Sequence, residues 1–240
     1  MVTDKLYIII PAYNEAANIK ELIDNWYPII ERHNAMNSSR LVIINDGSKD
    51  NTYNLIKKAE KTHPLLQGLT KPNGGHGDTV LFGYRYAIKN NADFIFQTDS
   101  DNQTDPREFE GFWKLRNSYD AVIGNRSKRQ DGEQRILVEK SLLTLLRLYF
   151  GVKIPDSNAP FRLMRTSLVN KYIDKLPQHY NLPNVMFTTY FAYFHEKIKF
   201  KDITFAPRQG GVNSINLRKI AKIGANALGD FHQLKKHIYD

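Results

Sequence analysis

The 240-residue chain has no cysteine, no apolar run long enough to cross a bilayer and no glycine-rich turn after its first strand-like segment. The first absence excludes disulfides and thiolate metal sites, and it makes a reducing interior the expected compartment. The most apolar stretch, Leu142–Phe150 (LLTLLRLYF), is too short to span a membrane and carries Arg147. Met1-Val2-Thr3-Asp4-Lys5 leads straight into a strand-like run, so no signal peptide is expected. The first strand ends in PAYNE, which argues against a dinucleotide oxidoreductase, whose pyrophosphate needs a glycine turn. No segment interleaves stacking aromatics with basic residues, so nucleic acid is not an expected partner. Internal repeats, low-complexity tracts and linkers are absent too.

Apolar residues make up 41% and charged residues 25%, enough core for a globular fold and too little charge for disorder. The net charge of +9 favours anionic partners, a phosphorylated substrate or a membrane surface among them. The expected location is cytoplasmic, with a peripheral position on the inner face of the membrane as the extension of that reading.

Along the first 125 residues, strand and helix patterns alternate. Strands are expected at Leu6–Ile10, Leu41–Ile44, around Leu69, at Asp93–Thr98 and at Ala121–Ile123. Helices are expected from about Glu15 and at Tyr53–Lys61, Asp78–Lys89 and Arg107–Arg116. That alternation means right-handed βαβ units and a mainly parallel sheet with helices on both faces. The second half is looser: helices near Ile136–Phe150, Leu168–Lys175 and Val185–His195, then a strand at Ile198–Phe205. The polar clusters PAYNE, NDGS and TDSD each close a strand at its carboxyl end, where ligands bind in such sheets.

The last cluster lies within FIFQTDSDNQTDP, residues 94–106, where Asp99 and Asp101 flank one residue. Two carboxylates so spaced can share a hard divalent cation, Mg²⁺ or Mn²⁺, whose shell is completed by water and phosphate oxygens. An EF-hand is excluded: Gln103 and Thr104 replace the required acidic or amide residue and glycine, and Pro106 breaks the loop. A phosphatase with an aspartyl nucleophile needs Asp-x-Asp-x-Thr, and Gln103 stands at the fifth position. Asp105-Pro106 reads as the start of a helix, with Pro at its first position. A solvated capping turn accounts for Asp105 but not for Asp99 and Asp101 together.

IIIPAYNEAANI, LVIINDGSKDNT, KPNGGHGDTVLFGYRYA and FIFQTDSDNQTDP, in this order, resemble family 2 glycosyltransferases of the GT-A fold, over roughly residues 5–215. Within that family the chain is most similar to the polyprenyl-phosphate sugar transferases, the dolichyl-phosphate mannose synthase type. The resemblance implies a GT-A (Rossmann-like) α/β domain over 1–215 and an inverting, metal-dependent transfer from a nucleotide-diphospho sugar. Pro11, Tyr13, Glu15, Asp46, Gly75, Gly77, Asp99 and Ser100 would bind the nucleotide sugar. Asp99, Asp101 and Gln103 would face the metal, with Asp101 catalytic. Taken alone, Asp46-Gly47 and Gly74-Gly75 are ordinary turn pairs, and His76 is a weak candidate ligand.

The acceptor side begins with the basic loop IGNRSKRQDGEQR, readable as a solvated face or as a phosphate clamp. By resemblance Arg126, Arg135, Arg208 and Ser214 would grip a lipid phosphate. A sugar hydroxyl, the alternative acceptor in cell-surface polysaccharide or lipid-linked oligosaccharide synthesis, would need a base, and Asp156 is the candidate. The other reading of Asp156 is that it orients Arg162. The chain departs from the resembling enzymes at Pro160, at Ile215 and in having no glutamate before Glu196 within NVMFTTYFAYFHE. Residues 216–240 carry Leu217, Ile220, Gly224, Ala227, Phe231, Leu234 and Ile238 at helical spacing among lysines and arginines. That stripe reads as an amphipathic, basic helix that docks on the domain, on a second subunit of a homo-oligomer, or on anionic lipid.

Overall fold

The structure, a computed structural model, describes residues 4–127 and 133–206, with backbone alone for 133–137, and then Phe231, His232 and Lys235. β1 (Leu6–Ala12) and β2 (Arg40–Asn45) are almost continuously apolar and buried, as strands covered on both faces must be. They pair in parallel with each other, β2 also with β3 (Leu66–Thr70) and β1 with β4 (Phe94–Gln97). β5 (Ala121–Asn125) and β7 (Ile198–Asp202) are parallel to each other. Between β4 and β5 runs β6 (Arg162–Arg165), antiparallel to both, giving the order β3-β2-β1-β4-β6-β5-β7. This strand is not among those expected from the sequence.

The period of two sends alternate side chains to opposite faces. Ile8, Ile10, Leu41, Ile43, Phe94 and Phe96 pack under α1 (Ile19–Arg32), α2 (Thr52–Glu60) and α4 (Phe109–Trp113). The heart of that layer is aromatic: Phe96 lies within ring-contact distance of Trp26, Phe109, Phe112 and Phe161. Tyr7, Ile9, Val42, Ile44 and Ile95 pack under α3 (His76–Lys89), α5 (Glu133–Phe150), α6 (Thr166–Ile173) and α7 (Pro183–Tyr193). A 3-10 turn, Pro106–Glu108, leads into α4, and Asp105 caps it by accepting from the Arg107 N–H. The Asp-Pro pair thus begins a helix, as its chemistry requires.

Of the C-terminal stripe, Phe231 is fully buried against Tyr149 and Phe150 of α5, and Lys235 donates to the Tyr149 carbonyl. At these positions the tail docks on the domain; the rest of 216–240 lies outside the described residues. No helix among the described residues is long and apolar enough to cross a membrane.

Candidate active site

β1 separates its neighbours. Its pairing with β4 ends at Ile9–Gln97, while its pairing with β2 continues to Ala12–Asn45. Beyond Ile9 the sheet therefore splits, at the point where strand order reverses from β2 to β4. This is where a doubly wound sheet opens a ligand crevice. Pro11 sits just past the split, where no ladder to β4 needs its missing N–H.

On the β2 side the loops lock together. The Asn14 N–H donates to Ser48 Oγ, and Asn14 Oδ1 accepts from the Lys49 N–H. Tyr13 projects into solvent, whereas Glu15 is buried, its N–H on Thr52 Oγ1 and its Oε2 accepting from Asn18. Asp46 is buried at the end of β2 and receives the Gly74 N–H on Oδ1, the Gly75 N–H on Oδ2 (each 2.9 Å) and Lys71 Nζ at 2.8 Å. Burial pushes this carboxyl up, but the hydrogen bonds from Lys71 and Gly74 outweigh it and hold it below its ordinary value. Asp46 therefore builds the glycine turn. Lys71, which the sequence analysis missed, also reaches Asp78 at 2.6 Å. Only the fold brings residues 46, 71 and 78 together, and a lone lysine after a short strand carries no pattern.

The glycine turn allows two close approaches. Gly75 has φ +88 and caps the start of α3, a backbone that side chains rarely adopt. A β-carbon on Gly77 would lie 2.4 Å from the Tyr180 carbonyl oxygen and 2.6 Å from the Asn181 backbone. Gly77 is thus where the 177–182 segment presses onto α3. Gly77→Ala is expected to overpack this contact by ~1–3 kcal/mol and to lower the melting temperature by about 5 °C. An unchanged thermal melt would show that the segment yields freely.

Across the split, the acidic loop is tied at both ends. Thr98 Oγ1 and Thr104 Oγ1 are hydrogen-bonded at 2.8 Å. Asp99 Oδ1 lies 2.9 Å from His76 Nε2 and accepts from Gln97 Nε2 at 3.4 Å, and Gln97 in turn accepts from buried Tyr84. Desolvation works against a charged His76, but Asp99, with Asp101 and Asp46 behind it, outweighs it and raises the imidazole above its ordinary value. Ser100 is buried; Asp101 is half-buried, its Oδ1 accepting from the Gln103 N–H. Gln103 is buried as well, and its side-chain nitrogen donates to the Ala206 carbonyl at 2.7 Å. That nitrogen joins the acidic loop to the segment after β7.

The donor set suits a hard cation that arrives with its ligand. Among the described residues no three acidic, histidine or cysteine groups form a preassembled cage. Asp99 and Asp101 can supply the one or two carboxylates that Mg²⁺ or Mn²⁺ takes, with phosphate oxygens and water completing the shell.

Two of the residues considered for the acceptor side bind each other. Asp156 is buried and receives Arg126 Nε and Nη2 at 2.8 Å each, the Arg126 N–H at 3.1 Å and the Asn158 N–H at 3.0 Å. Burial raises the carboxyl, but Arg126 wins and holds it below the usual range. Asp156 thus orients Arg126 and not Arg162. Arg162 is itself fully buried and donates to the carbonyls of Ala159 and Asn184. Arg126 belongs to the interior, stacked over Phe205, and not to an exposed face. The Arg135 side chain, Arg208 and Ser214 lie outside what the structure describes.

The profile described as Glycosyl transferase family 2 matches residues 7–173. The chain belongs to this family. Relatives include an undecaprenyl-phosphate 4-deoxy-4-formamido-L-arabinose transferase of Shewanella sediminis, 28% identical over 71% of this chain and 51% of that protein. A dolichyl-phosphate beta-glucosyltransferase of Trichomonas vaginalis is 29% identical over 60% and 43%. A UDP-N-acetylglucosamine–dolichyl-phosphate N-acetylglucosaminyltransferase of Methanococcus voltae is 27% identical over 73% and 75%. The chain spans about half the length of the first two. Glucosyl-3-phosphoglycerate synthase from Mycobacterium tuberculosis, solved with Mn²⁺ and UDP-glucose, superposes with a TM-score of 0.67 at 16% identity, covering 96% of this chain and 79% of that one. The fold of this family 2 member is accordingly GT-A.

Proposed function

We propose that the protein is an inverting glycosyltransferase that moves a sugar from a nucleotide-diphospho sugar to a polyprenyl phosphate, with Mg²⁺ or Mn²⁺ held by Asp99 and Asp101. The observation that carries this reading is the split between β1 and β4. The anchored glycine turn lies on one side of it and the Asp99–Asp101 pair on the other. The named activities of the polyprenyl-phosphate relatives support the acceptor class.

The chain's own residues divide the work. Pro11, Tyr13 and Glu15 frame the nucleoside side, and Asp46 holds the Gly74–Gly75 turn against it. Asp99 is oriented by Gln97 and His76, and Asp101 faces the diphosphate. Held by Asp99 and Asp101, a divalent cation would supply Lewis-acid neutralisation of the leaving diphosphate. The acceptor phosphate is already anionic near neutral pH and needs positive charge and hydrogen-bond donors instead of a base, a role we assign to Arg135 and Arg208 with Ser214, while Arg126 is committed to Asp156 in the interior. The state of Asp156 argues against a hydroxyl acceptor, because Arg126 occupies both its oxygens and depresses its proton affinity.

The test incubates the protein with UDP- and GDP-hexoses, Mg²⁺ or Mn²⁺, and a short polyprenyl phosphate, and reads product mass. Expected is a single glycosyl phospholipid of inverted anomeric configuration. Transfer only to a glycan hydroxyl would overturn the acceptor assignment, and no transfer or donor hydrolysis under any pairing would overturn the reading as a whole.

A further inference from the structure

Between α6 and α7 the chain passes over the first turn of α3. His179, with φ +59, places Nδ1 2.7 Å from Asp78 Oδ1. Tyr180 is buried, its carbonyl pressed on Gly77, and Pro183 opens α7 two residues after Asn181. The Asn181 backbone is therefore held on both sides, while its side chain is exposed. Among the described residues that amide makes no hydrogen bond. The space in front of Gly75 is open: among the described residues beyond its chain neighbours, the one atom within 4 Å of where a β-carbon would stand is Asn181 Oδ1, at 3.8 Å.

The position of that space matters. Gly75 donates its N–H to Asp46, and the next residue, His76, meets Asp99. The opening thus lies between the nucleoside-side anchor and the acidic loop, along the path a diphospho-sugar must take. A side-chain amide both donates and accepts, as a sugar hydroxyl does. A fixed backbone carrying a free amide is what hydroxyl discrimination requires, since a site built to bond a hydroxyl rejects analogues lacking it.

We propose that Asn181 is a specificity-determining residue that hydrogen-bonds a hydroxyl or equivalent polar substituent of the donor sugar. The proposal rests on the reading of the cleft as a nucleotide-sugar site. His179 and Asp78 act at one remove, by holding the segment in place.

The experiment compares wild type, Asn181→Ala and Asn181→Asp by calorimetric titration in Mn²⁺. The ligands are the nucleotide sugar preferred in the panel above and its nucleoside diphosphate. Because the side chain is exposed, thermal melts of the variants should match wild type. Expected is a loss of about five- to tenfold in nucleotide-sugar affinity for Asn181→Ala, the size of one hydrogen bond, with nucleoside diphosphate affinity within about twofold of wild type. Asn181→Asp, which keeps an acceptor, should restore part of the loss or shift preference among sugars. Equal weakening of both ligands, or no change in either, would overturn the proposal. If wild type bound the diphosphate but no nucleotide sugar, the sugar subsite would be refuted alone. If it bound neither, the glycosyltransferase reading would fall as well.

Discussion

Replacing Asp101 with alanine is expected to lower kcat/KM for sugar transfer by about 10³-fold or more, the scale of losing a preorganised charge partner at a leaving group. The effect should fall on kcat and on the cation-dependent part of nucleotide binding together. Titrating the nucleoside diphosphate with and without Mn²⁺ separates these: wild type should gain affinity from the ion, and Asp101→Ala should not. Asp101 is the cleaner target of the two carboxylates, because Asp99 also holds His76 and Gln97, so its loss disturbs the cleft wall as well. Asp101 is only half-buried, so the melting temperature should barely move. Undiminished turnover by this variant would falsify the metal–diphosphate assignment.

The second large effect concerns stability. Arg126→Met strands the Asp156 carboxylate in the interior, and a buried pair broken on one side typically costs about 3–5 kcal/mol. For a chain of this size that corresponds to a fall of about 10 °C in melting temperature. The double variant Arg126→Met/Asp156→Leu should recover much of it, since an apolar pair of similar volume replaces two desolvated charges. The folded pKa of Asp156 is depressed, so its contribution is fully present above the unfolded carboxylate pKa. It is lost as pH falls through the lower folded value. Denaturant melts of wild type and the double variant should therefore converge in acid, below the usual carboxylate range. A wild type whose advantage does not change with pH would refute the ion-pair account.

The first half of the chain was largely legible in the sequence as a fold, because its determinants are local. Buried parallel strands announce themselves as β-branched runs, and Asp105-Pro106 announces a helix start. β6 was not legible. Its four residues, RLMR, show neither alternation nor a run of β-branched residues, and Arg162 is fully buried against every compositional expectation. What stabilises it there is a set of backbone carbonyls from Ala159 and Asn184, contacts that exist only after folding. Asp156 has as its partner Arg126, not the Arg162 that one of its two readings offered. Arg162 is near in sequence, whereas Arg126 is brought to Asp156 by β5. The closeness of Gly77 to the Tyr180 carbonyl was not legible either, since only the fold brings residues 77 and 180 together.

The reversed strand also bears on how the molecule assembles. β1 to β4 are joined by short helical crossovers and can form progressively along the chain. Among the described residues β5 has no direct ladder to that half: its strand pairing reaches β4 through β6, by the pairings Ile95–Met164 and Ala121–Met164, and β7 pairs with β5, with one further bridge, Thr104–Phe205, beyond its end. Until the later residue Met164 is in place, β5 and β7 lack a template, and pairings between such distant residues form slowly. Native-state hydrogen exchange should accordingly find two cooperative units, with β5, β6 and β7 opening together at lower free energy than β1 to β3. In such an opening the Arg126–Asp156 pair would come apart while the Asp46 anchor stayed closed.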